Sequence, residues 1–560
     1  MKTILCSVAL CFITSMGFSQ FQRSYGTEKS ELGWALDQLQ KVEKGYLIGG
    51  YTSKSFIGDI EATLMKTDLD GNQIWSRVYG GTRQEYFSSV RQSEYFSPNN
   101  KVAYIAAGHT KSFGFGSGDA FLMGVDSNGS PVFSAVYGGK EFDTFRCAQN
   151  IKDENGKPGY IMVGNTFSYS NAFPGSNVYV VRTDLMGNIT NATVIGGRGD
   201  QIGTWIEQTK DGGYIISGYS TNYRCGSATL TNPPEDIFVI KLKPDLTIEW
   251  NRILGYPKEL DGAINYTNLA TCVKQNRQGD FVLTGYTNSF GINNSNDAFL
   301  LYMSSTGNFQ GMKTYGTRRD EYGHGLEETF DTTGNQQYTV VGSNTIFSTY
   351  QAMLFQTDTG GNLQWVRNYG KTGRESSDEL VIDVFNKGFA FVGFTDSIGV
   401  TGSRDIYLVE TTGTGKTGTD CEKEIDLKVI KHEPCVTRSA QQIFVKDYER
   451  IQPKVIRVEY KEGRCENVVG SKTEENKTLE KDGLLYPNPV NNLLTINIEK
   501  TSAITKVEVF DVHGKMVIKN AEIGQKEKIV LSTENLQPGM YIVKLRTQNG
   551  ETRMMKFLKK

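Results

Sequence analysis

The 560-residue chain holds only 4 histidines and 8 cysteines. The histidines His109, His324, His432 and His513 share no metal-ligand spacing, so neither a metal nor a cofactor is expected. Two cysteines, Cys6 and Cys11, fall in the first apolar run. The six that remain are too few for a disulfide framework. Cys421, Cys435 and Cys465 lie close enough in sequence for one local bridge, with its pairing open. An excess of one charge sign is also missing. Lysine plus arginine number 60 against 62 acids, a net charge of -2, so bulk electrostatics call for neither nucleic acid nor a membrane surface. Past residue 20 no apolar run approaches the ~20 residues of a membrane span. Nor does any segment carry a sustained 3.6-residue stripe, which excludes a helical domain. What is plentiful is glycine (61), tyrosine (28) and phenylalanine (29), the composition of many turns between packed strands.

The start, "MKTILCSVALCFITSMGFSQF", places one lysine before an apolar run from Ile4 to Phe18. Gly17 and Ser19 then stand at -3 and -1 of a cut after Ser19. This is the pattern of a secretory signal peptide over residues 1–19, and export permits disulfides.

A "YG" word then recurs, at 21–26, 75–81, 133–139, 191–197, 250–255, 311–316 and 365–370. Its spacings of 54, 58, 58, 59, 61 and 54 residues define seven units. Each unit also carries a polar-apolar stretch, a strand with a late glycine such as "GYIISGYSTN" (213–222), and a further strand such as "DIFVIKLK" (236–243). All are short and rich in Ile, Val, Phe and Tyr, which is strand chemistry. Four strands per unit, seven times, is the pattern of radial blades. The late glycine is expected to serve a positive φ or a close backbone approach between blades. "DLDGN" (68–72), "DSNGS" (126–130), "DLMGN" (184–188) and "DTGGN" (358–362) read as hairpin turns. The seventh unit lacks a "YG" strand of its own, so Phe21–Gly26 is expected to pair beside 405–412 and close the ring. The fold class is all-β: a seven-bladed propeller over 20–415 closed by the N-terminal strand, a charged linker module with short strands over 416–482, and a C-terminal β-sandwich over 483–560.

Several stretches imitate chemical motifs. "TTGTGKTGTD" (411–420) lacks the earlier glycine of a phosphate loop, since Glu410 takes its place, and no helix pattern follows. It is expected to be a flexible linker. Asp68, Asp70 and Asn72 lack the twelfth-position glutamate of a calcium loop. No nucleophile elbow stands out. The acids of "RRDEYGHGLEE" (318–328) offer a carboxylate pair for glycoside chemistry, though acids on blade loops are ordinarily solvated. No catalytic residue is assigned. The loops after the glycine-bearing strands recur at one blade position and should share one rim. They bring Phe56, Phe113, Phe115, Tyr169, Phe173, Tyr223 and Phe290, either as a recognition surface for a glycan or protein or as anchors tucked under their own blades. Trp75, Trp250 and Trp365 start strands at one repeat position and are expected in the core.

The repeats resemble those of secreted bacterial propellers with a "DGGYIxxGxTxS…D…G…W…YGG" signature over 21–415, a resemblance that speaks to fold more than function. The last 77 residues resemble, motif by motif, the type A C-terminal sorting domain of the Bacteroidota type IX secretion system. The matching words are "YPNPVNNLLTI" (486–496), "VFDVHGKMV" (509–517), "NLQPGMYIVKL" (535–545) and "MMKFLKK" (554–560). Tyr486, Pro487, Asn488, Pro489, Gly514, Gly539, Tyr541, Lys556, Phe557, Lys559 and Lys560 carry the match. The resemblance implies periplasmic transit, recognition by the translocon and its shuttle barrel, then cleavage with release or surface attachment. The combined expectation is a secreted or surface recognition protein. The alternatives are an extracellular polysaccharide hydrolase or lyase and a structural part of a surface or gliding apparatus.

Overall fold

The computed structural model describes residues 20–560 except 28, 42, 54–59, 98–99, 170–174, 198, 222–234, 256–265, 347–348, 371–372, 386, 397–403, 420–421, 433–434, 438–443, 448–453, 456–459, 463–465, 469–484, 487–490, 498–503, 512–514, 521–527 and 548–551; side chains of 433–490 lie outside the description. The signal-peptide segment therefore lies outside the described residues. The chain divides into two units, 1–470 and 471–560.

The first unit is a seven-bladed propeller. Blade 1 is built from Glu31–Leu39, Gly45–Ser53, Ile60–Thr67 and Gln73–Tyr79, in sequence order from the axis outward. Blades 2 to 6 repeat this antiparallel order from innermost strands Glu85–Gln92, Asp143–Lys152, Gln201–Gln208, Asn268–Gln275 and Glu321–Phe330. Blade 7 takes three strands from 375–412, and its fourth is Phe21–Gly26. That N-terminal strand pairs with Asp405–Thr412 in a register running from Phe21↔Glu410 to Tyr25↔Ile406. The ring is thus closed by the strand whose "YG" the seventh unit lacks.

The core lies between neighbouring blades. At the closing interface Phe21, Tyr25, Ala390, Val392, Ile406 and Leu408 of blade 7 pack on Leu36, Tyr46, Ile48 and Met65 of blade 1. The "YG" tyrosines latch successive blades. Tyr25 donates its hydroxyl to the Gly71 carbonyl at 2.5 Å, Tyr79 to Gly129 at 2.6 Å and Tyr137 to Gly187 at 2.6 Å. Tyr315 reaches Gly361 at 2.8 Å and Tyr369 reaches Gly415 at 2.5 Å. Each acceptor is the glycine of the next blade's hairpin. Gly71, Gly129, Gly187 and Gly361 have φ between +73° and +79°, as the hairpin reading requires. Trp75 is buried, while Trp250 and Trp365 are half-buried against the same inter-blade clusters.

The glycine late in each second strand has a different cause from the turn glycines. A Cβ on Gly50, Gly108, Gly164, Gly218, Gly285, Gly342 or Gly393 would stand 1.8–2.0 Å from a backbone carbonyl of the innermost strand beside it. The close approach is therefore within one blade, not between blades, and none of these glycines has positive φ.

The "TTGTGKTG" stretch is an ordered turn. Gly415 N donates to Thr412 O at 2.9 Å, Gly415 accepts Tyr369, and Gln22 Nε2 reaches Thr417 Oγ1 at 3.0 Å. It is the seventh blade's counterpart of the "DxxGN" hairpins. Beyond it the charged segment lays seven short strands on the outer edges of the blades, each opposite the "YG" end of a fourth strand. Glu422–Glu424 pairs with blade 6, Lys428–His432 with blade 5 and Cys435–Thr437 with blade 4. Phe444–Asp447 pairs with blade 3, Lys454–Val455 with blade 2 and Tyr460–Glu462 with blade 1. Glu466–Val468 finishes the circuit on the closing strand itself, with Tyr25↔Asn467. The segment is a belt running against the direction in which the blades were laid down. It gives every blade a fifth strand, and each edge it pairs is no longer open to another chain.

The second unit is a β-sandwich. One sheet has three strands, Leu485–Tyr486, Leu493–Asn497 and Lys528–Ser532. The other has four, Ile504–Asp511, Met516–Asn520, Gly539–Thr547 and Thr552–Lys559. Leu494, Ile496, Val507, Val509, Ile529, Leu531, Tyr541, Val543 and Leu545 form its core. Among the described residues no helix is long and apolar enough to cross a membrane.

Candidate functional site: the axial mouth

The seven innermost strands align residue for residue. Each begins with an acid or amide: Glu31, Glu85, Asp143, Gln201, Asn268, Glu321 or Glu375. Most of these cap the turn entering their blade. Gly81 N donates to Glu85 at 3.0 Å, Gly139 N to Asp143 at 2.9 Å and Gly197 N to Gln201 at 2.7 Å.

The register of every innermost strand then slips at its fourth residue. These bulged residues are Trp34, Ser88, Arg146, Thr204, Thr271, His324 and Asp378. A bulge re-aims a side chain, and here four of the seven reach the next blade. Ser88 Oγ donates to Phe145 O at 2.7 Å, Thr204 Oγ1 to Ala270 O at 2.7 Å and Thr271 Oγ1 to Gly323 O at 3.0 Å. His324 Nδ1 makes the same contact with Ser377 O. Trp34, Arg146 and Asp378 make no such contact among the described residues.

Aromatic rings gather at this end of the axis. Trp34 lies edge-on to Tyr51 at 4.8 Å and to Tyr86 at 5.2 Å between centroids. Tyr86 continues to His109 at 5.3 Å, and His109 to Phe142 at 4.5 Å. In blades 5 and 6, Tyr286 meets Tyr322 at 4.8 Å, and Tyr322 meets Tyr350 at 6.4 Å. Arg404 sits over Phe394 at 4.8 Å. Phe167 and Tyr350 are 40% and 41% exposed. Arg146 is exposed, and its positive field reaches Tyr86, Tyr219 and Tyr286, from blades 2, 4 and 5. Burial nevertheless pushes Tyr286 and Tyr322 up to about 12. His109 is buried, bonds the Asp143 carbonyl through Nδ1 at 2.9 Å, and is pushed down to about 4 by burial.

Further along the axis the channel is charged. Arg91 pairs with Glu379 at 2.8 Å, and Glu379 also accepts Leu36 N at 2.8 Å. Lys274 pairs with Glu327 at 3.0 Å and approaches Glu207 at 3.8 Å. Arg91 and Lys274 each lie 5.4 Å from the Trp205 ring. Arg91, Trp205, Lys274, Glu327 and Glu379, with Asp37, Gln92 and Gln149, line a cavity of about 300 Å³. Burial raises Asp37 to about 6, against the opposing pull of Arg91. Cys147 and Cys272 are buried free thiols beside this channel, both pushed up by burial. Among the described residues no group of three or more His, Cys, Asp or Glu is placed to hold a metal ion.

The described rim residues named from sequence, Phe113, Phe115, Tyr169 and Phe290, follow the second strands, on the face that carries the mouth. Phe113 packs on the core between blades 1 and 2. Tyr169 donates to Gly138 O at 2.7 Å, and Phe290 packs on the blade 4–5 core with His432 at 5.1 Å. Those three anchor their loops. Phe115 is 52% exposed. Phe56, Phe173 and Tyr223 lie outside the described residues. The acids of 318–328 are dispersed: Glu321 caps its turn, Glu327 faces Lys274, and Glu328 accepts Gln336 Nε2 at 2.6 Å. Sequence reasoning passed over the mouth itself. Its signal was the residue after each late glycine, Tyr51, His109, Asn165, Tyr219, Tyr286, Ser343 and Phe394, which changes character from blade to blade within an otherwise repeated word.

In the sorting unit, Tyr486 pairs with Thr495. Tyr541 is buried, donates to Gln537 O at 2.8 Å and pairs with Phe557. Gly539 has φ +155° and faces Lys559, while Lys556 faces Ile542. Lys559 is buried with its ammonium on the Asn491 carbonyl, which leaves Lys560 as the exposed terminal cation. Pro487, Asn488, Pro489 and Gly514 lie outside the described residues, as do the side chains of Tyr486, Lys556 and Phe557 and those of Cys421, Cys435 and Cys465.

Residues 484–560 match the family model described as "Secretion system C-terminal sorting domain". No curated protein matches the chain. Among solved structures the chain is similar to Sqt1 from Chaetomium thermophilum, with a TM-score of 0.38 at 10% identity over 72% of this chain and 88% of that one. It is also similar to the extracellular domain of the putative one component system BT4673 from B. thetaiotaomicron, with a TM-score of 0.31 at 11% identity over 96% of this chain and 56% of that one. The chain is a secreted seven-bladed β-propeller that carries the C-terminal sorting domain of the Bacteroidota type IX secretion system.

Proposed function

We propose that the propeller is a recognition module, delivered to the cell surface or medium, that holds a ligand at its axial mouth without converting it. The sorting domain supplies delivery through contact with the translocon and its shuttle barrel. The observation that carries the recognition reading is the ring of half-exposed aromatic side chains over the starts of the innermost strands. Aromatic faces with hydroxyl tips bind with little loss of side-chain freedom. Most of the charged groups deeper in the channel are in ion pairs. The Arg91 and Lys274 cations are paired, the thiols are pushed away from the thiolate form, and His109 is locked in the wall. A nucleophile or acid-base pair poised for chemistry would need the opposite arrangement.

The test uses the full-length secreted protein and polysaccharide and protein fractions from the surface of the producing bacterium. Binding should be saturable and should weaken at least tenfold in Trp34→Ala and Tyr322→Ala. Unchanged binding in both variants, or time-dependent cleavage of the bound material, contradicts the reading.

A further inference from the structure

We propose that the mouth takes an acidic polysaccharide, one bearing uronate carboxylates, and that Arg146 is the residue that pairs with the carboxylate. The proposal rests on the mouth being a recognition site and adds the class of ligand.

Arg146 differs from four of its equivalents. At the same bulged position Ser88, Thr204, Thr271 and His324 spend their polar group on a carbonyl of the next blade. Arg146 is exposed, and among the described residues no carboxylate forms an ion pair with it. It stands at the bulge of its innermost strand, at the end of the axis that carries the aromatic rings, and its charge is felt by tyrosines of blades 2, 4 and 5. A guanidinium offers a planar two-pronged donor that fits a carboxylate.

The acids nearby do not answer that charge. Asp320 accepts Asn296 N at 2.9 Å and its amide Nδ2 at 3.3 Å. Asp200 accepts Ser176 N at 2.8 Å and its hydroxyl at 3.1 Å. Burial raises Asp378 to about 7, which weakens the negative charge it brings near neutral pH. Arg404, a second cation at the mouth, adds to the positive side.

The aromatic layout favours a sugar over a peptide. Trp34 with Tyr86, and Tyr286 with Tyr322, meet edge to face as two separate aromatic pairs rather than one deep apolar slot. Pyranose C–H faces stack on aromatic rings, while sugar hydroxyls can meet the hydroxyl tips of half-buried tyrosines such as Tyr286 and Tyr322. A repeating acidic polymer presents both a stacking face and a carboxylate at each residue.

The experiment is titration calorimetry of the full-length protein with polygalacturonate oligosaccharides, their carboxyl-reduced neutral counterparts and a sulfated neutral glycan. Expected are saturable binding to the uronate, at least tenfold weaker binding to the reduced form, and weakening with added salt. Arg146→Gln should lose tenfold or more, and Arg146→Lys should keep part of the affinity. Equal binding of the reduced polymer, tighter binding of the sulfated one, no binding of the uronate, or wild-type affinity in Arg146→Gln each overturns the proposal. Trp34→Ala and Tyr322→Ala separate the two levels. If they abolish capture of the surface fraction while Arg146→Gln does not weaken it, recognition at the mouth stands and the acidic class falls.

Discussion

A methyl group on Gly218 would place its carbon 1.9 Å from the Ile202 carbonyl oxygen. Two backbones would have to part at a point where the strand is already bulged. Gly218→Ala should therefore destabilise the ring by at least ~2 kcal/mol, measured as a fall in Tm or in the denaturant midpoint. The same change at Gly156, with nothing within 4 Å but φ +74°, should cost only ~1 kcal/mol. Equal costs at the two sites would contradict the close-approach account. The Tyr25 hydroxyl makes one buried hydrogen bond across the closing interface. Tyr25→Phe leaves the Gly71 carbonyl without it and should cost ~1 kcal/mol. Titration is also decided at this scale. Burial lifts Asp37 and Asp119 to about 6, and Asp297, Glu321 and Asp378 to about 7. In the unfolded chain these groups release their protons near 3.8 for Asp and 4.5 for Glu. Between those values and 6–7 the folded state binds more protons, so stability falls as pH rises through that window. Tm should rise as pH is lowered from 8 to about 5, and Asp297→Asn should flatten the rise. A Tm that drops steadily over that range would show that other groups dominate.

Each element was legible in proportion to its length and repetition. The four strands of a unit and their hairpins show in the alternation of Ile, Val and Tyr and in "DxxGN" turns at a near-constant period. The vacancy filled by Phe21–Gly26 follows from counting "YG" words. The β-sandwich read over 483–560 is present as two sheets with strands between Leu485 and Lys559. The belt was legible only as short strands in a charged stretch. Pieces of two to five residues carry no periodicity, and they bond through backbone rather than through a patterned face. Their destination on seven separate edges is a property of the finished ring. The mouth was hidden for a related reason: its residues are single positions on seven strands, far apart in sequence and adjacent only after closure. The belt makes a specific prediction at this level. Its last strand covers the closing strand, so Asn467→Pro, which removes the N–H opposite Tyr25, should speed amide exchange within Phe21–Gly26 several-fold, as expected for one lost hydrogen bond of ~1 kcal/mol. Unchanged exchange would mean that the belt does not hold the ring shut.

At the scale of the molecule, two closures act on one object. The N-terminal strand completes blade 7, and the belt then pairs the outermost strand of every blade, so the ring is held from inside and outside the same seam. A rigid ring leaves its axis as the place where differing residues from seven blades can be brought together, while the hairpins, latches and caps repeat with little change. Variation is concentrated at the mouth. The central claim is that this end of the axis is the binding surface. Hydroxyl-radical footprinting of the full-length protein, with and without saturating surface polysaccharide from the producing bacterium, tests it most directly. The account predicts protection of Trp34, Tyr51, Tyr86, Tyr286, Tyr322 and Tyr350, with the belt and the sorting unit unchanged. Protection confined to the belt, to the "DxxGN" hairpins at the opposite face or to the sorting unit would contradict it.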